Sequence, residues 1–330
     1  MAVVLTDTPD TSRSAGTVVS WPLCAAIGAG VCWAMTGIFV RRMSAVALPM
    51  LVWQRFALSF LAMLALTRFR RDPVVPAVDG RPADEAGWPA GGRQWWADAG
   101  LASCMTAYYI FATTGFALGP VALTSLIIAL TPAITMGWQL ASSRQVAGRD
   151  VLGFAVAIVG VCCYLVPLLS GHQQFPRHAI IIAAVAAGLA ALVRALFTIV
   201  LWNRALRGVP LHAPRVNRLT FLIGAVLLLP VVLIPGAGGG ATWHHLGWLV
   251  ALVVVATLVP NLLNTWASSR LHPTLNAIVG MLTPPLTGVL GWLWLGESLA
   301  GLQWFGMILT LVGIGVSVLR PAPARTGRDR

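Results

Sequence analysis

Three arginines stand inside long apolar stretches, and their position raises the first chemical question. Arg194 lies within AIIIAAVAAGLAALVRALFTIVLW, about ten residues from its nearer charged neighbour, Arg204. In a membrane span, a charge at mid-helix costs at least about 2.5–3.5 kcal/mol on insertion scales. A guanidinium there can hold an anion, because its planar fork donates two parallel hydrogen bonds to a carboxylate or phosphate. The alternative is snorkelling to the nearer helix end, about 10 Å away by helix rise. Arg55 and Arg218, preceded by Gln54 and Asn217, stand one to two turns inside their stretches. Their simplest role is structural or gating, holding neighbouring carbonyls or a lipid headgroup.

A polar stripe accompanies them. Thr257, Asn261, Asn264 and Ser268 follow one another at steps of four, three and four, which places them on one helix face. Pro260 lies in the same stretch and removes a backbone hydrogen bond. Two Asn beside a Pro suit a cavity wall, where irregular backbone is tolerated; interhelical hydrogen bonding is the other reading. Ser103, Thr106, Tyr109 and Thr113 form a weaker counterpart, and Pro132 and Pro285 interrupt two further stretches. Trp33 and Trp266 are deep enough to be cavity aromatics, or else simply pack.

Other chemistries find less support. No nucleophile has an evident base beside it. The six His (172, 178, 212, 244, 245 and 272) fall at segment ends or in connections and make no zinc set. No catalytic residue, metal or cofactor is expected. Cys24, Cys32, Cys104, Cys162 and Cys163 all lie in apolar runs and read as buried thiols acting as small hydrophobes. Glu297 is the acid most closely tied to the apolar regions. It can bind a proton or face water, and the second is the simpler expectation, so proton coupling stays open.

What must position these residues follows from composition. The 330 residues are 58% hydrophobic and 10% charged, with a mean hydropathy of +0.81. A soluble domain carries about 25% charged residues, so lipid rather than water must cover this chain. Ten apolar segments are legible, roughly 21–40, 48–67, 96–117, 120–140, 151–169, 179–201, 215–234, 246–268, 273–294 and 302–319. Lipid offers no partner to free backbone groups, so the expected fold is all-α, with ten transmembrane helices. Residues 1–20 read as a cytoplasmic tail. They carry Asp7 and Asp10 and no basic start before an apolar core, so no cleavable leader is expected. The stretch 68–95 reads as a flexible cytoplasmic loop and 320–330 as a basic tail.

The formal charge of +12 is carried by 22 Arg and no Lys. Their place between apolar runs argues for topology signals rather than a nucleic-acid partner. With the N-terminus inside, 16 Arg fall on the cytoplasmic side and three (Arg41, Arg42 and Arg177) outside. Both termini are therefore expected in the cytoplasm of a multi-pass cell-membrane protein. Trp21, Trp95, Trp96, Trp202, Trp243, Trp248 and Trp304 stand near segment ends, as interfacial anchors do.

The chain also repeats itself. At an offset of 153 residues Pro120 pairs with Pro273, Pro132 with Pro285, Gly148 with Gly301, Gly153 with Gly306 and Gly160 with Gly313. Near the second segment of each half the offset is 163, pairing Gln54-Arg55 with Asn217-Arg218. Five segments per half is an odd number, so the second half (170–319) must sit inverted relative to the first (21–169). Inverted repeats suit alternating access about a midplane site.

The stretch YYIFATTGFALGPVALTSLIIALTPAITMGWQ, with Gly153 and Gly160, and the run from Pro285 through Leu295-Gly296-Glu297 to Gly306 and Gly313 resemble the EamA repeat of the drug/metabolite transporter superfamily. Arg55-Phe56 fits the second helix of such a repeat. The resemblance spans about residues 21–319 and implies a ten-helix secondary transporter, most simply an exporter, of small polar metabolites such as amino acids. One departure stands out: Ser142-Ser143-Arg144 replaces the Leu-Gly-Glu of the second half. Partners are then a small-molecule substrate and membrane lipids, with the oligomeric state open. A membrane-embedded enzyme and a non-transporting scaffold are the competing readings.

Overall fold

A computed structural model describes residues 20–69, 92–143, 148–170, 175–206, 213–235, 243–268 and 279–318. The N-terminal tail, the C-terminal tail, most of the 68–95 loop and the Arg144 position lie outside them. Among the described residues every regular element is helical. In chain order these are α1 (Ser20–Ala34), α2 (Thr36–Arg42), α3 (Leu48–Phe69), α4 (Gly92–Leu118), α5 (Val121–Ile128), α6 (Thr131–Ser143), α7 (Gly148–Leu169), α8 (Arg177–Leu206), α9 (Ala213–Val232), α10 (Trp243–Val253), α11 (Val259–Ser268), α12 (Thr283–Leu295) and α13 (Gly301–Val318). A π-helical turn, Val254–Leu258, joins α10 to α11. Because α3 runs to Phe69 and α4 starts at Gly92, both ends of the expected loop are helical instead.

Seven helical stretches are long and apolar enough to cross a membrane, and Val121–Thr135 and Gly301–Val316 are shorter apolar helices. Large apolar side chains such as Leu61, Val185, Leu192, Val226 and Ile308 lie exposed around the outside. Thr106, Thr113, Thr220 and Thr310 are buried inside. That distribution suits a lipid solvent.

Four expected segments are not continuous helices. The first is interrupted for one residue at Met35. The fourth breaks at 129–130, because Pro132 has no N–H to return to the carbonyl of Ile128. The Thr131 hydroxyl donates to that oxygen instead, at 2.7 Å. In the second half a turn at 281–282 precedes α12, where Pro284 and Pro285 withhold the N–H groups that Gly280 and Met281 would receive. The eighth widens ahead of Pro260. There Val259 N–H reaches back five residues to the Val254 carbonyl, and Thr257 Oγ1 donates to the Leu252 carbonyl at 3.0 Å. The breaks of the fourth and ninth segments fall at corresponding positions of the two repeats.

The packing respects the repeat. Helices α7 and α13, which end the two halves, make the most extensive contact; α4 packs on α8 as α1 packs on α11, and α3 on α9. The α7–α13 seam shows the relation directly. Gly306 lies against the backbone at Gly160, and Gly313 against the backbone at Gly153 and Ala157. As one helix ascends the other descends, so equivalent helices of the two halves run antiparallel.

Candidate functional site

Between the halves lies a cavity of about 600 Å³, whose wall includes Trp33, Arg55, Tyr108, Tyr109, Arg194 and Asn261. Asn264, Thr36, Ser125, Thr131 and Pro132 also line it, as do Gly280, Met281, Thr283 and Pro284 from the corresponding break of the second repeat. Broken helices thus face the cavity from both halves, the one place where irregular backbone at membrane depth is tolerated.

Helix α3 carries Arg55 into the wall. The residue is only 3% exposed. Its Nε and Nη2 donate to Thr257 Oγ1 at 3.3 and 3.0 Å, and its Nη1 to Thr113 Oγ1 at 3.0 Å. The guanidinium also lies 4.8 Å from the Tyr109 ring centroid. Arg194, on α8, is half-buried; it donates from Nη1 to Tyr108 Oη at 2.9 Å. It sits 5.1 Å from the Tyr108 ring and 5.8 Å from the Trp33 ring. The Tyr108 and Tyr109 rings are neighbours, with centroids 5.3 Å apart, and Asn261 donates to Tyr109 Oη at 3.3 Å. Two cations therefore flank one tyrosine pair. Among the described residues the partners of both are hydroxyls and ring faces, and no described Asp or Glu lines the cavity.

Several sequence expectations change here. Arg194 reaches the cavity wall rather than simply snorkelling to a helix end. Arg55 holds threonine hydroxyls, not carbonyls or a lipid headgroup. Thr257 is wholly buried behind Arg55 and Pro260 is buried beside it, so neither faces the cavity. Trp266 is 41% exposed and lies outside the lining. Pro285 is half-buried behind Pro284, and Arg218 is half-buried near the start of α9. The five cysteines are free, and Cys24 and Cys162 are exposed rather than buried. Tyr108 was missed as a site residue, although two of the chain's three tyrosines standing side by side was a readable signal.

Glu297 does not face water. It is 7% exposed, and its Oε2 accepts the Val121 N–H at 3.0 Å. It thereby caps α5 in the other repeat, where a carboxylate suits the positive end of the helix. Gly296, with φ +68°, ends α12 and turns the chain to place it there. Burial pushes its carboxyl above the usual carboxylate range, against the pull of the Val121 N–H and the Arg41 guanidinium. Nearby, Arg41 donates to the Ala117 carbonyl at 3.1 Å and Arg42 to the Trp294 carbonyl at 2.8 Å, closing the ends of α4 and α12. A core of Phe39, Met43, Leu51, Phe116, Val121 and Leu252 fills this end of the molecule. Asp98, Arg204 and Arg215 meet near the opposite end of α4, and the residues of that helix that line the cavity, Met105 to Phe116, lie between the two ends.

Nothing in the sequence pairs the three charges of that second cluster. Asp98 is 1% exposed, with Arg204 at 2.8 Å and Arg215 at 3.5 Å. It ties α4 of the first half to α8 and α9 of the second.

The stripe on α11 makes a direct prediction. Asn261 and Asn264 line the cavity, whereas Leu262 is 50% exposed on the outer surface. In a Cys-free background, Asn261→Cys and Asn264→Cys should react with a small polar thiol reagent much faster than Leu262→Cys. Equal rates at all three would overturn the assignment of this face to a water-accessible cavity.

Comparison with known proteins fits this architecture. No curated protein matches the chain. A protein of known crystal structure superposes with a TM-score of 0.59 at 16% identity, covering 90% of this chain and 96% of the other, which is a likeness of fold. The EamA-like transporter family matches twice, over residues 20–166 and 181–319. Those two stretches are the halves whose end helices meet antiparallel at Gly160 and Gly306, and the chain belongs to the EamA-like transporter family.

Proposed function

We propose that this membrane protein is a ten-span secondary transporter that moves a small polar metabolite with an anionic group by alternating access. The observation that carries the reading is the cavity between inverted halves, with Arg55 and Arg194 in its wall and no lining carboxylate among the described residues. The broken fourth segment, α12 with the stretch before it, and α13 supplement the seven long spans to make ten. A midplane site flanked by broken helices and sealed at one end is what alternating access requires.

The Arg distribution supports placing the Asp98 end and both termini in the cytoplasm. A Cys introduced at Ala83 should then resist an impermeant reagent in intact cells, and strong labelling would reverse the orientation.

The test is reconstitution into liposomes with a metabolite pool, followed by analysis of what crosses. At matched abundance Arg194→Gln should reduce transport about tenfold or more, the equivalent of about 1.4 kcal/mol or above. Arg194→Lys should fall between, because it keeps the charge and loses the fork. Near-normal transport by both variants would leave Arg194 a structural residue.

A further inference from the structure

Resting on that transporter reading, we infer that the cavity selects a small dianion, either a dicarboxylate or a phosphate monoester, over a zwitterionic amino acid. The argument is one of charge. Elsewhere among the described residues buried arginine is compensated: Arg204 and Arg215 share Asp98, and even the less buried Arg41 and the exposed Arg42 reach the carbonyl ends of α4 and α12. In the cavity two guanidiniums line one space with no carboxylate among the described lining residues.

Their neutral partners do not remove the deficit. Arg55 is held by two threonine hydroxyls and one ring face. Arg194 uses only Nη1, on Tyr108, and rests against two rings. A ring face offsets about 0.5–2 kcal/mol of a cation's lost hydration, far less than the cost of an uncompensated buried charge. The two guanidiniums lie on either side of the tyrosine pair. A monoanion balances one of them; a dianion balances both.

The ammonium of an amino acid meets the opposite situation. It would enter a site already carrying two positive charges, with no acidic side chain among the described lining residues to receive it. Like charges brought together at a binding surface cost several kcal/mol. The carboxylate of such a ligand would gain one guanidinium contact and its ammonium would forfeit much of the gain.

The experiment is binding to the purified full chain in detergent. Succinate and glutarate form one arm, inorganic phosphate and glycerol phosphate the second, and monomethyl succinate, alanine and serine the controls. At least one dianion arm should bind, and the arm that does so distinguishes dicarboxylate from phosphate. Monomethyl succinate and the zwitterions should bind about tenfold more weakly or less well still, and Arg194→Gln should weaken the best dianion by about 10–100-fold. Because Arg55 is buried, Arg55→Lys serves as its variant, with folding checked by thermal midpoint. A zwitterion that binds as tightly as the best dianion overturns the inference. So does failure of every dianion, or unchanged dianion affinity in Arg194→Gln. The two readings fail separately. Dianion binding without flux in liposomes removes the transport reading alone. Flux of zwitterions with indifference to dianions removes this inference alone.

Discussion

Asp98→Asn should cost the protein about 3–5 kcal/mol of stability. The substitution keeps the shape of the side chain and deletes its charge. It leaves Arg204 and Arg215 buried together, each with a side chain only 11% exposed, around an amide that cannot neutralise either. Arg204 is the more vulnerable, since its Nε and Nη2 already lack hydrogen-bond partners and the contact at 2.8 Å is its compensation. Thermal unfolding in detergent should show a large drop in midpoint and reduced abundance in the membrane. Arg215→Gln should be milder, because its contact is longer at 3.5 Å. Replacing the whole cluster, as Asp98→Leu with Arg204→Met and Arg215→Met, should recover much of the loss, because removing a buried charged triad entire strands no charge. A wild-type midpoint for Asp98→Asn would show that this cluster is hydrated and without weight. The prediction bears on function because Asp98 clamps together α4 and α8, which carry Tyr108 and Arg194 into the cavity wall, and α9.

A comparable loss is expected from Gly306→Leu in the α7–α13 seam. A Cβ at Gly306 would stand 2.5 Å from the Gly160 carbonyl oxygen and 2.7 Å from the Tyr164 nitrogen. Both obstacles are backbone atoms, so no rotamer change can yield, and the helices must part. Overpacking costs about 1–3 kcal/mol and sometimes more. Here the cost falls on a contact made by small residues, the means by which membrane helices approach closely. Gly306→Leu should therefore lower the unfolding midpoint sharply, and Gly306→Ala should do so to a lesser degree. Gly100→Ala and Gly188→Ala are the controls, because a Cβ at either meets nothing within 4 Å. Those two should match wild type or gain slightly, since Ala favours helix over Gly by about 1 kcal/mol. Equal behaviour of Gly306→Ala and Gly188→Ala would mean that the seam is loose.

The same residues divide what was legible from what was not. Gly153, Gly160, Gly306 and Gly313 announced a repeat by their spacing, and five segments per half announced its inversion. The seam in which Gly306 faces Gly160 agrees with both. Arg194 was legible because a charge inside an apolar run is costly wherever the chain goes. Asp98 was not. Near the start of its helix it resembles any solvated acid, and its partners lie 106 and 117 residues away. Glu297 misled for the same reason: its place after Leu295-Gly296 suggested water, and only the fold brings Val121 to it from 176 residues away.

Hydropathy, periodicity and charge asymmetry are sums over neighbouring residues. The sequence by itself therefore determined the all-helical class, the long apolar spans, the two halves, and which residues would be expensive to bury. It also carried the prolines, whose missing N–H accompanies the interruptions at 129–130, 254–258 and 281–282, although α7 and α9 run through Pro167 and Pro230. Which side chains share a space depends on contacts between segments far apart in the chain, and those only the tertiary structure decided. It set Tyr108 between Arg194 and Tyr109, placed Thr257 behind Arg55, and left Trp266 outside the cavity. It also gave Asp98 two arginines and gave the cavity none of the described acids. The charge of the site is a difference between neighbours in space, and no window along the chain contains it.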